Sequence, residues 1–135
     1  MNGFEGIRIL VADPDSWSRA LLLDLFKSEG CEVDSANNLA GAVTCADVFK
    51  PQVLVTNYLL EDGMTGQTLA LALRQINQVL GLVFLSKLPE LSLASASPRD
   101  AALLAGAKYH SAGDGFSVDH LMRAVAAVLP GVPFK

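Results

Sequence analysis

Asp13 and Asp15 stand two residues apart, directly after the apolar run Ile7 to Ala12 (IRILVA). Carboxylate oxygens are the donors a hard divalent cation requires. Pro14, between them, offers only a backbone carbonyl. Asn57 follows a second apolar run, VLVT, and Ser86 closes a third, LVFLS, with Lys87 next in the chain. An amide is uncharged and a weak nucleophile, so Asn57 cannot do the work of an aspartate. The turn after the first run contains no glycine, so no phosphate-cradling loop is expected there. His110 and His120 have no partner at metal-ligand spacing and read as structural or solvent-facing.

These residues need elements to hold them. Ile7 to Ala12 reads as a buried strand, broken by Asp13-Pro14-Asp15-Ser16, from which Asp15 or Ser16 can cap a helix. That helix carries the stripe Leu21, Leu22, Leu25 and Phe26 and stops at Gly30. Cys31 to Ala36 is a weaker second strand. A helix from Leu39 to Phe49 turns Ala42, Val43, Ala46 and Phe49 inward. Val53 to Thr56 is a third strand, and Thr65 to Asn77 a helix with Leu69, Leu73 and Ile76 on one face. Leu82 to Ser86 is a fourth strand. After the serine-rich stretch from Lys87 to Pro98, a short helix is expected over Arg99 to Ala105, then a fifth strand over Ala107 to Ser111. A last helix from Ser117 to Leu129 buries Leu121, Val125, Val128 and Leu129. Trp17, Leu23 and Met122 fall off these core stripes, and Trp17 at the start of the first helix is a candidate docking contact.

Alternating strands and helices imply parallel strands, right-handed crossovers and helices on both faces of one sheet. The expected fold is α/β, a three-layer, doubly wound, five-stranded parallel sheet in one domain over residues 1–135, with its core at about 7–129. Sites in such sheets lie beyond the strand C-termini, where Asp13, Pro14, Asp15, Asn57, Ser86 and the loop after Ser111 all fall.

Composition narrows the function. The chain has 135 residues, a net charge of −4 and no Lys/Arg cluster, so it lacks a nucleic-acid footprint. No apolar run approaches ~18 residues, so no membrane span is expected. The start, MNGFEGIRILV, shows no charged segment followed by a cleavage site, and no signal peptide is expected. Cys31 and Cys45 sit inside apolar patterns and read as buried hydrophobes of a cytoplasmic protein.

The order and spacing of ILVADPD, SEGCEV, KPQVLVTN, GMTG, VFLS and AGAKY resemble a response regulator receiver domain, the phosphoacceptor module of two-component signalling, from Ile7 to Leu129. LALALRQ and LGLVFLS look most like receivers of actinobacterial regulators. The resemblance implies the flavodoxin-like strand order 2-1-3-4-5. It also implies a phosphorylated aspartate ending strand three, two acidic Mg²⁺ ligands after strand one, a Ser/Thr ending strand four and a lysine after strand five. This sequence departs from that set. Asn57 holds the phosphoacceptor position and Pro14 the second acidic one, and the lysine position falls on Ala112 or Gly113. Asp13, Ser86 and the switch aromatic Tyr109 match. A remnant pocket of Asp13, Asp15, the Asn57 amide and the Leu59 carbonyl should bind Mg²⁺ weakly or not at all, and no other cofactor is expected. Lys87 is expected to stand in for the missing lysine by pairing with Asp13.

The resemblance therefore implies a degenerate, non-enzymatic receiver acting through protein contact in a phosphorelay. Its partner would be a sensor kinase, an output domain or another regulator, or a second copy docking through helix four, strand five and helix five. Plainer roles exist for the same residues: a turn and an N-cap for Asp13 and Asp15, a strand-end residue with its amide bonded to backbone for Asn57, a strand-end hydrogen-bonding residue for Ser86, and a half-buried core aromatic for Tyr109. Asp13-Pro14-Asp15 also resembles the DxD signature of haloacid-dehalogenase-type phosphatases, whose first Asp is the nucleophile. The chain lacks their late acidic pair and cap insertion. A receiver phosphorylated at Asp13, Asp15 or Ser86 is the remaining alternative.

Overall fold

Five short strands, each bounded by a turn signal, form one parallel sheet. The computed structural model describes residues 3–86, 106–111 and 117–129. The elements are β1 (Arg8–Ala12), α1 (Ser16–Ser28), β2 (Glu32–Ala36), α2 (Leu39–Phe49), β3 (Val53–Asn57), α3 (Gly66–Ile76), β4 (Gly81–Ser86), β5 (Lys108–Ser111) and α4 (Val118–Ala127). The strand order is β2-β1-β3-β4-β5, the flavodoxin-like order. The helix expected over Arg99 to Ala105 lies outside the described residues.

Period-two alternation divides the apolar strand residues between two cores. Ile9, Val11, Val53, Val55 and Val83 face a cluster closed by Leu22 and Phe26 of α1 and Leu121, Met122 and Val125 of α4. Leu10, Ala12, Leu54, Leu82 and Phe84 face the other, closed by Ala42 of α2 and Leu69, Ala70 and Leu73 of α3. The three-layer arrangement thus follows from uninterrupted apolar runs that must be covered on both faces.

Side-chain stripes required correction. Leu21 is 44 % exposed, whereas Leu22 and Phe26, one turn apart, face the core. Leu23 packs against that cluster from its edge and Met122 is buried within it, so both belong to the core. Ile76 is 79 % exposed, because it sits in the last turn of α3. Arg74 is buried in its place, its Nε donating to the Leu80 carbonyl at 2.6 Å. Trp17, as expected, projects into solvent. Among the described residues no helix is long and apolar enough to cross a membrane.

Both cysteines are free, Cys31 buried and Cys45 half-buried. Burial, helped by the Glu29 charge, pushes the Cys31 thiol up to about 11. Burial, then a hydrogen bond to Asp34 and its charge, pushes Cys45 up to about 12. A proton held more tightly in the folded chain contributes stability that is complete below the unfolded thiol value and is lost as pH rises through 11 to 12. The thiolate is the reactive form. Labelling by an aromatic disulfide at pH 8 is therefore expected to be at least about tenfold slower in the native chain than in urea.

Candidate functional site

Asp13 continues the line of β1 for one residue, its N–H donating to the Ala36 carbonyl at 3.1 Å. Its side chain is only 6 % exposed, and one carboxylate oxygen accepts the Asp15 N–H at 2.9 Å. Asp15 is the N-cap of α1. Its carboxylate accepts both the N–H and the hydroxyl of Ser18 at 2.8 Å, which satisfies one of the orphan donors of the first turn. The two acids therefore have different roles: one buried at the strand end, the other committed to starting the helix. Arg19 reaches back one turn and donates through Nη1 to the carbonyls of Asp13 at 2.7 Å and Pro14 at 3.1 Å. This clamp was not foreseen from sequence, since an arginine in a helix carries no sign of what it will reach.

On the neighbouring strand, Ala12 pairs with Thr56, so Asp13 and Asn57 leave β1 and β3 at the same level. Asn57 is half-buried, and its carbonyl accepts the Thr56 hydroxyl at 3.0 Å. Among the described residues its side-chain amide has no hydrogen-bond partner. The chain turns away at Tyr58, whose carbonyl accepts the Gly66 N–H at 2.7 Å. The start of α3 comes so close to β3 that a Cβ on Gly66 would sit 2.3 Å from the Asn57 carbonyl oxygen.

Leu59 is exposed and bridges Thr65 across the loop. Beyond it, the loop is fastened to the turn before α2. Asp62 accepts the Leu39 N–H at 3.0 Å and the Met64 N–H at 3.3 Å. Glu61 donates its N–H to the Asn37 carbonyl, and its carboxylate accepts from the Asn37 amide. Asp62 thus caps a helix that follows a different strand. The sequence signal was only an acidic pair before Gly63.

At the far side, Ser86 ends β4 opposite Ser111, and Tyr109 pairs with Phe84. Lys87, Ala112 and Gly113 lie outside the described residues, so the expected Lys87–Asp13 pair lies outside them too. His120 is exposed near the start of α4. Among the described residues no group of three or more His, Cys, Asp or Glu side chains could hold a metal ion.

The arrangement gathers one buried carboxylate, a proline without a side-chain ligand and an uncharged amide at the strand ends, while the second carboxylate is engaged by Ser18.

No protein-family model matches the sequence, and no curated protein matches it significantly. Solved structures do. A response regulator receiver protein from Sinorhizobium medicae superposes with a TM-score of 0.77 at 20 % identity, over 96 % of this chain and 98 % of its own. A two-component response regulator from Clostridium difficile gives 0.73 at 22 % identity, over 90 % and 94 %. A chemotaxis response regulator of Vibrio cholerae gives 0.73 at 20 %, over 92 % and 99 %. Strand order, helix layers and these superpositions agree: the chain has the fold of response regulator receiver domains, with an amide at the end of its third strand.

Proposed function

We propose that this chain is a receiver-type module of two-component signal transduction that takes no phosphoryl group at its third strand and works by protein contact. Asn57 carries the reading. It stands level with the buried Asp13 at the strand ends, in the place where receivers carry the acceptor aspartate, and its amide cannot form a stable acyl phosphate. The engagement of Asp15 with Ser18 and the identity of Pro14 support weak or absent Mg²⁺ binding, since the pocket is short of anionic oxygens. The domain is then a non-enzymatic scaffold. Its partner is a sensor kinase, an output domain or a second copy, and its input is a binding event.

The test is intact mass spectrometry after incubation with Mg²⁺ and acetyl phosphate, with beryllofluoride binding followed in parallel. No added phosphoryl mass and no beryllofluoride binding are expected. A phosphoryl mass that disappears in mild base would place an acyl phosphate on Asp13 or Asp15 and overturn the reading. One that survives mild base would point to a hydroxyl such as that of Ser86.

A further inference from the structure

At the opposite end of the sheet, where the strands begin, a cleft of about 310 Å³ lies between α2 and α3. That is the lower end of the range for small-molecule pockets. Its walls are Val43 and Ala46 of α2, Leu73 and Ile76 of α3, and Leu80.

The polar groups around these walls are unbalanced. Four of their acceptors are already used. The Lys50 carbonyl takes the Arg8 Nε–H at 2.9 Å, the Gln52 side-chain oxygen takes the Arg8 N–H at 3.0 Å, and the Asn77 side-chain oxygen takes the Val79 N–H at 3.2 Å. The Leu80 carbonyl is taken by Arg74. Among the described residues, the donors are not used: the terminal guanidinium nitrogens of Arg8, the side-chain amide nitrogens of Gln52 and Asn77, and the Lys50 ammonium make no hydrogen bond or ion pair. Among the described residues Asp47, exposed, is the one carboxylate in the lining.

Lys50 adds a separate observation. It ends α2 with φ +52°, the left-handed conformation that favours glycine. The chain holds a lysine there, so both Arg8 and Lys50 line the cleft.

We propose that this cleft binds a small amphipathic monoanion. The ligand has an apolar body of one or two fused rings, seated between α2 and α3, and a carboxylate or similar acceptor group meeting Arg8. A planar guanidinium held at Nε presents its remaining N–H groups as a fork suited to a carboxylate. Apolar walls with a few placed donors are the usual make-up of such sites. The cleft shares no residue with the pocket at Asp13 and Asn57, so the inference stands apart from the proposed signalling role.

The experiment is an NMR titration of ¹⁵N-labelled protein with 1-naphthoate, and with 1-naphthalenemethanol and 1-naphthylmethylamine as neutral and cationic counterparts. Saturable shifts are expected at the amides of the second half of α2, the last turn of α3 and Leu80. Naphthoate should bind at least about tenfold more tightly than the alcohol, and the amine more weakly still. Arg8→Gln should weaken naphthoate about tenfold. Ile76→Glu should do the same without moving the urea midpoint, because that side chain is solvent-exposed. Shifts that do not saturate or that map elsewhere would overturn the proposal. So would equal binding of the alcohol, tighter binding of the amine, or an Ile76→Glu variant with unchanged affinity.

Discussion

Replacing Gly66 by alanine is expected to destabilise the chain by about 2 kcal/mol, within the range for overpacked sites. The position opens a helix, where alanine would ordinarily gain up to about 1 kcal/mol over glycine. Sterics outweigh that gain. The new Cβ would lie 2.3 Å from the Asn57 carbonyl oxygen and 2.9 Å from the Thr56 hydroxyl oxygen. The first of these is backbone, which cannot swing aside, so α3 must lift or the end of β3 must move. Gly63→Ala makes a useful control. Gly63 has φ +77° with nothing within 4 Å of its Cβ position, so its cost of about 1 kcal/mol is conformational. Urea unfolding measures both. Gly66→Ala should be the worse variant and should shift the Asn57 and Asp13 amide resonances, which Gly63→Ala leaves in place. A Gly66→Ala chain as stable as the parent would mean that β3 and α3 are not in this contact.

The second large effect concerns charge. Asn57→Asp would set a second carboxylate level with the buried Asp13. Two like charges about 6 Å apart at an effective dielectric near 20 repel by about 1–3 kcal/mol. One of the pair's two protons should then be held above the ordinary carboxylate range. A raised folded-state pKa gives a penalty absent at low pH, where the pair is protonated, and complete once pH has risen through the raised values. The variant should therefore match the parent near pH 4 and be less stable at pH 7.5. Mg²⁺ should reverse the loss, by about 2.7 kcal/mol at a hundred times its dissociation constant, while leaving the parent unmoved. Thermal unfolding at both pH values, with and without Mg²⁺, checks this. Equal stability at pH 7.5 without metal would show that the two positions do not share a pocket.

The centre of the sheet was readable because β1, β3 and β4 are continuous apolar runs between turn residues, a signal that survives small errors of boundary, whereas β2 (EVDSA) and β5 (KYHS) carry no such run. The α2 limits follow from Asn38 at its start and Pro51 just past its end. Facing was harder to read. Leu21, Leu22 and Leu23 are consecutive, and periodicity alone does not say which of three leucines points at a core not yet built. Ile76 fits the stripe of α3, but the last turn extends past what it packs on, and no local pattern reports that. The site divided the same way. Asp13, Pro14 and Asn57 are visible because they end strands. The clamp from Arg19 and the cap from Asp62 join residues through tertiary geometry, and nothing in the local sequence announces them.

That cap on α2 has a mechanical consequence. At one end the helix is fastened to the β3–α3 loop through Leu39 and Asp62. Further along the same helix, Val43 and Ala46 wall the cleft. Its 11 residues span roughly 16 Å. One helix therefore borders both the cleft and the loop carrying Leu59 and Met64. A displacement of that helix along its axis would be felt at both ends of the sheet.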